Sequence, residues 1–261
     1  MGSCVLVTGG GSGIGAAVAH RMAADGFSVC VAGRRLEPLE EVAGTLGGLA
    51  VQADVSEPSG ARRAVDACLE RFGRLDALVI SSGAGAGGTV LDQTLERWDR
   101  VIATNLTGAF LVCRAALPEL ISARGALVTV SSLAGLRADP ASVAYCSSKA
   151  GLIMLTQCIA LDYGPAGVRA NCVCPGWVRT AMADAAMDEL GELRGVDREG
   201  AYSLAASHVP ARRAGSPEEV AGLVAWLASP AASYVNGAVI TADGGAAVVD
   251  AGTLAFSPTP G

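Results

Sequence analysis

Tyr145 and Lys149 stand four residues apart in Ala144-Tyr145-Cys146-Ser147-Ser148-Lys149-Ala150, and Ser132 lies thirteen residues before the tyrosine. A phenol titrates near pH 10, so alone it is a poor acid–base group at neutral pH. A neighbouring ammonium favours the phenolate and lowers that value, while burial opposes the shift. A serine hydroxyl can orient a substrate oxygen and stabilise its developing charge. Together the three fit proton transfer to or from an alcohol or ketone oxygen while hydride moves at the carbon. Of nineteen cationic side chains, eighteen are Arg and Lys149 is the one Lys. Arg cannot deprotonate in a protein, whereas Lys offers a compact ammonium whose pKa can shift. A chain that uses Arg everywhere else and Lys here asks for that difference.

The elements that must position this set can be read from apolar runs. Cys4–Thr8, Ser28–Ala32, Leu49–Gln52, Ala77–Ile80, Ala126–Val130, Arg169–Val173 and Ala238–Ile240 read as buried strands rich in Val, Leu and Ile. Helical segments fall between them, roughly at 14–25, 36–46, 58–72, 94–120, 144–163 and 217–228. The last opens with Ser216-Pro217-Glu218-Glu219, an N-cap, a Pro at the first helical position and early acids. Strict β/α alternation predicts an α/β fold, a doubly wound parallel sheet of about seven strands with helices on both faces, as one domain over 1–261. Tyr145 and Lys149 then share one face of helix 144–163, and Ser132 follows the strand Ala126–Val130. The segment 181–214, broken by Gly191, Gly195 and Gly200, reads as a mobile insertion and substrate lid, and the tail 257–261 as loose.

The first strand runs into Thr8-Gly9-Gly10-Gly11-Ser12-Gly13-Ile14-Gly15 and then a helix. Glycines there let the backbone turn tightly against a pyrophosphate, and the helix N-terminus offers free N–H groups and partial positive charge. The strand–loop–helix context makes this a dinucleotide site. After the second strand the sequence is Ala32-Gly33-Arg34-Arg35, with no acid to bind the ribose hydroxyls of NAD. Arg34, with Arg35 beside it, suits the extra phosphate of NADP. NADP(H) is therefore favoured, and NAD(H) stays open. Asp54-Val55, after the third strand, is placed to cover the adenine.

A hydrophobic fraction of 51% with 17% charged residues, in 261 residues, implies extensive burial, including subunit contacts. The net charge is −6 and the basic residues are scattered, which argues against nucleic acid or an anionic membrane surface. Eight Cys spread through apolar segments read as reduced thiols of a cytoplasmic protein, and Cys172-Val173-Cys174 as strand core rather than a metal site. No metal is expected. No apolar run in the sequence approaches the ~18 residues that span a bilayer. The immediate entry into a strand leaves no room for a signal peptide, and Leu6 breaks the myristoylation pattern. His20 and His208 lack a partner pattern and are assigned to surface or lid.

Over about residues 3–245 the chain resembles the short-chain dehydrogenases/reductases. The matching residues are Thr8-Gly9-x3-Gly13-Ile14-Gly15, Asp54, Asn105 in Thr104-Asn105-Leu106-Thr107-Gly108, Ser132, Tyr145-x3-Lys149, Pro175-Gly176 and Asp243-Gly244-Gly245. The resemblance implies a Rossmann fold and four catalytic residues. Tyr145 would be the acid/base, Ser132 would hold the substrate oxygen, and Lys149 would bind the nicotinamide ribose and tune the tyrosine. Asn105 would hold a water linking Lys149 to solvent. Pro175, Gly176 and Val178 would line the cofactor, and Thr180 would meet the nicotinamide carboxamide. One departure stands out: the family's Asn-Asn-Ala-Gly is here Ile80-Ser81-Ser82-Gly83. Ser82 and Gly83 would still border the cofactor, but Ile80 removes a polar brace of the central sheet. The long helices 94–120 and 144–163 would form a dimer seam, giving a homodimer or homotetramer.

The sequence thus points to an NADPH-dependent carbonyl reductase, reversible as an alcohol dehydrogenase, with pro-S hydride delivery implied by the resemblance. Its substrate would be a small molecule, free or carrier-bound, recognised by segments 84–91, 133–143 and 177–210. Small side chains at 84–90 and Ala134–Ala141 suggest a roomy, mainly apolar pocket, and the sequence resembles β-ketoacyl reductases and polyketide ketoreductases. Two alternatives remain: an NAD-dependent dehydrogenase of secondary or cyclic alcohols or dihydrodiols, and a non-catalytic NADPH-sensing protein.

Overall fold

Seven short runs rich in Val, Leu, Ile, Ala and Cys pair side by side, and the central ones, buried on both faces, need cover on both. A computed structural model describes residues 2–85, 87–250 and 252–253, so the 257–261 tail lies outside the described residues. The chain runs β1 (Cys4–Thr8), α1 (Gly13–Ala24), β2 (Ser28–Gly33), α2 (Leu36–Leu46), β3 (Leu49–Gln52), α3 (Pro58–Phe72), β4 (Ala77–Ile80), α4 (Leu95–Ile102), α5 (Gly108–Ala123), β5 (Ala126–Val130) and α6 (Val143–Tyr163). It continues through β6 (Arg169–Pro175), α7 (Ala181–Arg194), α8 (Arg198–Ala205), α9 (Pro217–Ala228) and β7 (Val239–Ala242).

The sheet is parallel throughout, in the order β3-β2-β1-β4-β5-β6-β7. Strand alternation sorts the core. Leu6, Leu78, Ile80 and Leu127 face α3, α5 and α6, while Val5, Val7, Val79 and Val128 face α1, α2 and α9. The chain order reverses between β1 and β4, so a crevice opens beyond their carboxyl ends, where ligands of such sheets bind. Thr8, Ser81, Ser131 and Gly176 all follow or end strands at that edge.

One segment differs from the sequence expectation, and another carries detail that expectation lacked. The single helix expected over 94–120 is interrupted: α4 and α5 flank a wider turn at Ala103–Thr107, where the Gly108 N–H reaches back five residues to the Ala103 carbonyl. The segment 181–214 contains two helices, with their own small core of Ala183, Met187, Ala201, Tyr202 and Ala214. Its glycines are points of close packing as well as ends. A Cβ on Gly191 would lie 2.6 Å from the Val196 carbonyl oxygen, so glycine lets the α7–α8 connection fold back onto α7.

By length and composition alone, Leu95–Ala123 and Val143–Ala166 are apolar enough to cross a membrane, contrary to the sequence reading. Both stack on the sheet here, with Val112, Leu120, Leu152 and Ile159 in its core, as core helices of a parallel sheet do. Their outer faces keep Phe110, Met154 and Leu161 exposed.

Candidate active site

The first turn of α1 could hold an anion. Ser12 precedes the helix in extended conformation and makes no side-chain cap, which leaves the leading N–H groups of Gly13, Ile14 and Gly15 available. Gly13 is in the left-handed region (φ 53°), and a Cβ there would stand 3.1 Å from the Thr180 methyl. A Cβ on Gly15 would stand 2.2 Å from the Gly9 carbonyl oxygen. This cradle fits a pyrophosphate because backbone occupies the space that side chains would need. Ile14 packs partly into the core behind it.

Along the same edge, Thr8 Oγ1 lies 3.2 Å from Ser82 Oγ, tying the ends of β1 and β4. This bond supplies the polar brace that Ile80, fully buried, does not. Arg34 and Arg35 are exposed at the end of β2, with the Arg34 carbonyl accepting from Gln52 Nε2 at 3.0 Å. Arg34 takes part in no salt bridge among the described residues. Asp54 accepts from the Ser56 hydroxyl (2.6 Å) and amide (3.0 Å); these bonds, with the Arg34 charge nearby, hold its carboxyl below the usual range. The Val55 side chain is buried in the core.

The chemical end is assembled from β5, α6 and the wide turn. Lys149 is buried, and its Nζ donates to the Val130 carbonyl at 3.0 Å. Ser131 Oγ donates to the Lys149 carbonyl at 2.8 Å, fixing that turn of α6 against the end of β5. Burial brings the lysine down to about 8, so its proton is mobile near neutral pH. Its ammonium lies 5.7 Å from the Tyr145 ring centroid. Tyr145 itself is pushed above the ordinary phenol value, first by burial; the Ser132 hydroxyl pulls it down, and the charges of Asp139 and Cys146 push it up. Of the two opposed effects expected on the tyrosine, burial wins. Ser132 begins the next turn, its Oγ accepting from the Ala134 amide at 3.1 Å.

Asn105 sits in the wide turn, wholly buried. Its Oδ1 accepts from the Ala84 amide at 2.7 Å, and its Nδ2 donates to the Ala84 carbonyl and to Ser148 Oγ, both at 2.9 Å. Ser148 Oγ donates in turn to the Tyr145 carbonyl at 2.7 Å. The side chain thus links the loop after β4 to the helix of Tyr145 and Lys149. Gly83 is part of the same cluster: a Cβ there would lie 3.5 Å from Lys149 Nζ. Pro175 and Gly176 close the edge beside Asp243, Val178 is buried, and Thr180 caps α7 by accepting from the Ala183 amide at 3.2 Å.

A family model described as Enoyl-(Acyl carrier protein) reductase matches residues 9–247. Protein MoaE of Klebsiella aerogenes is 41% identical, covering 98% of this chain and 100% of its own length. Meso-2,3-butanediol dehydrogenase of Serratia marcescens is 34% identical, covering 94% of this chain and 95% of its own. A solved variant of actinorhodin polyketide ketoreductase with NADPH superposes with a TM-score of 0.90 at 31% identity, over 95% of this chain and 98% of that one. The chain belongs to the short-chain dehydrogenase/reductase family. It is an NAD(P)-dependent oxidoreductase acting on CH–OH or C=O groups.

For this dehydrogenase/reductase, sequence reading named candidates for the chemistry and missed the residues that hold them in place. Ser148, Ser131 and the Val130 carbonyl carry the bonds that fix Lys149 and Asn105. Ser148 left one signal, a polar residue one position before Lys149 on the turn of α6 that faces the sheet. A backbone carbonyl leaves none.

Proposed function

We propose that the chain is an NADPH-dependent carbonyl reductase, reversible as an alcohol dehydrogenase, for a β-ketoacyl or polyketide-type substrate. The observation that carries this is the meeting of Ser132, Tyr145, Lys149 and Asn105 beside a glycine cradle whose neighbouring strand ends in exposed Arg34. The cradle fits a dinucleotide, which when bound supplies a hydride from its nicotinamide. Arg34, with Arg35, would hold the 2′-phosphate, and Asp54 would border the adenine. Thr180 would meet the carboxamide.

The protein's own part is proton handling. Ser132 orients the substrate oxygen, and Tyr145, protonated at neutral pH, gives its proton to that oxygen as the alcohol forms. Lys149, titrating near neutral pH, resupplies the tyrosine side of the site. A water linking Lys149 to solvent would meet the Asn105 backbone, because its side chain is spent on Ala84 and Ser148. Gly88 N donates to the Ala141 carbonyl at 2.7 Å, joining two of the three segments assigned to the substrate. The exposed Phe110, Met154 and Leu161 support a homodimer or homotetramer. Six buried thiols out of eight suit a reduced, cytoplasmic setting.

The NADPH-bound ketoreductase neighbour supports the cofactor and substrate class. Similarity to a butanediol dehydrogenase favours a second reading, an NAD-dependent dehydrogenase of secondary or cyclic alcohols. Cofactor oxidation by the purified protein decides between them, with NADPH and NADH each offered a β-ketoacyl thioester, a bicyclic ketone and an aliphatic ketone. The reductase prefers NADPH with thioester or bicycle; preference for NADH, or activity only in alcohol oxidation, selects the dehydrogenase. Tyr145→Phe should lower turnover about 10²–10⁴-fold while NADPH binding is kept. Normal turnover in that variant would remove the acid/base assignment, whereas a parent chain that binds NADPH but turns over none of the three carbonyls would revive a cofactor-sensing role.

A further inference from the structure

We propose that Arg179 is a positioning residue that ties α8 to the cofactor segment and so sets how tightly and how long the dinucleotide is held. The inference rests on the reading above, in which Thr180 meets the carboxamide. Arg179 lies between two fixed points. Its own amide donates to the Gly215 carbonyl at 3.0 Å, and the Gly215 amide donates to the Trp177 carbonyl at 2.9 Å. The next residue, Thr180, caps α7 and sets its methyl against Gly13 of the glycine cradle.

The Arg179 side chain reaches onto α8. Its two terminal nitrogens fork onto the Glu199 carboxylate, each at 2.7 Å, and the guanidinium stands 4.4 Å from the Tyr202 ring centroid. Tyr202 is buried, and its hydroxyl donates to Asp184 on α7 at 2.8 Å. One residue before Glu199, Arg198 forks onto Asp188 of α7 at 2.7 and 2.6 Å. Glu199 and Tyr202 thus reach Thr180 through Arg179, while Arg198 and Tyr202 lock α8 to the helix that Thr180 caps. The α7–α8 unit is thereby tied to Thr180, whose methyl would stand 3.1 Å from a Cβ on Gly13.

A planar fork that also stacks is a task for Arg and not for Lys. Because the guanidinium is occupied by protein partners, its action on the cofactor runs through backbone position. Release of product or cofactor on opening of such a segment often limits turnover, so the contact bears on kcat as well as on affinity.

The test uses the full chain with NADPH as probe, reading affinity by fluorescence, release by stopped flow, turnover and thermal stability. Arg179→Ala and Glu199→Ala should each weaken NADPH by about three- to tenfold through faster release, the scale of an exposed but bidentate, stacked ion pair. The double variant should be no weaker than Arg179→Ala alone, and Arg179→Lys should recover little. The proposal is overturned if both single variants bind NADPH within twofold of the parent, or if their effects multiply in the double variant. It also fails if Arg179→Ala acts and Glu199→Ala does not, since Arg179 would then touch the ligand directly. A loss of thermal stability with unchanged NADPH release would make the contact merely structural and overturn it as well. If the parent chain binds no NADPH, the functional reading fails first and takes this inference with it.

Discussion

The two halves of the site are built from opposite materials. At the cofactor end, residues 9–15 form a cradle out of missing side chains, shaped by how closely backbone can approach backbone. At the chemical end, Lys149, Asn105, Ser131 and Ser148 are buried polar side chains, each bonded to a named partner. The first half fails when something is added and the second when something is neutralised. Substitution should therefore separate folding from function at one end and not at the other.

Lys149→Met is the sharpest way to test that contrast. Turnover should fall about 10²–10⁴-fold, the scale of lost acid–base assistance. Stability should move the other way. In the folded chain burial holds the lysine at about 8 against 10.5 when unfolded, so the buried ammonium is a constant cost below pH 8. Between those values the unfolded chain binds the extra proton, and parent stability climbs with pH. The Met variant should thus melt no lower than the parent at pH 7, with any advantage fading as pH rises from 8 to 10.5. Thermal melts across pH beside turnover assays check this. Equal loss of stability and activity would make Lys149 a packing residue.

Gly15→Ala tests the opposite end. Its Cβ would meet the Gly9 carbonyl oxygen at 2.2 Å, and the obstacle is backbone, which cannot swing aside. Overpacking of this kind costs about 1–3 kcal/mol of fold stability, and relief of the clash by displacing Gly9 would also deform the cradle and weaken NADPH. Fluorescence titration reads the affinity and a melt reads the fold; here both should fall together. Retained NADPH affinity would show that the cradle relaxes and that its shape is not the determinant.

A smaller effect is expected from Arg34→Ala, which alters neither cradle nor proton chemistry. Without the fork, NADPH should weaken by about tenfold, the value of one exposed charge-assisted phosphate contact, while NADH changes less than twofold. Competitive titration of the two cofactors measures the ratio. Equal effects on both would remove the phosphate role and favour the NAD-dependent alternative.

The same contrast explains what could be read from the sequence. Strands were legible to within a residue or two because burial on both faces leaves unbroken runs such as Cys4–Thr8 and Ala126–Val130. Tyr145, Lys149 and Ser132 could be singled out because the chemistry proposed for them is carried by residue type and spacing. The wide turn at Ala103–Thr107 was not, since a five-residue backbone bond leaves helical composition unchanged. Nor were α7 and α8, whose small apolar core rests on Ala183, Ala201 and Met187 and whose glycines imitate breakers. The balance on Tyr145 was open in the sequence, because spacing places a charge nearby but says nothing of how deeply the phenol is buried.

That balance gives the smallest and most specific expectation. After burial, and against the pull of Ser132, the Asp139 carboxylate raises the Tyr145 pKa. Asp139 lies on the loop leading into α6, its amide donating to Cys146 Sγ at 3.4 Å beside the tyrosine. Asp139→Asn removes the charge and keeps the shape, so the phenolate becomes easier to form. In the proposed mechanism alcohol oxidation needs the phenolate, so its alkaline rise should move to lower pH; ketone reduction needs the phenol, so its high-pH decline should move the same way. Burial also lifts Asp139 above the usual carboxylate range, and once it is protonated parent and variant should converge at acid pH. Log kcat/KM against pH in both directions reads this, and a common shift isolates one titrating group. Opposite shifts, or none, would mean that Asp139 acts on the substrate rather than on Tyr145, and that the chemical end is tuned by its bonded partners alone.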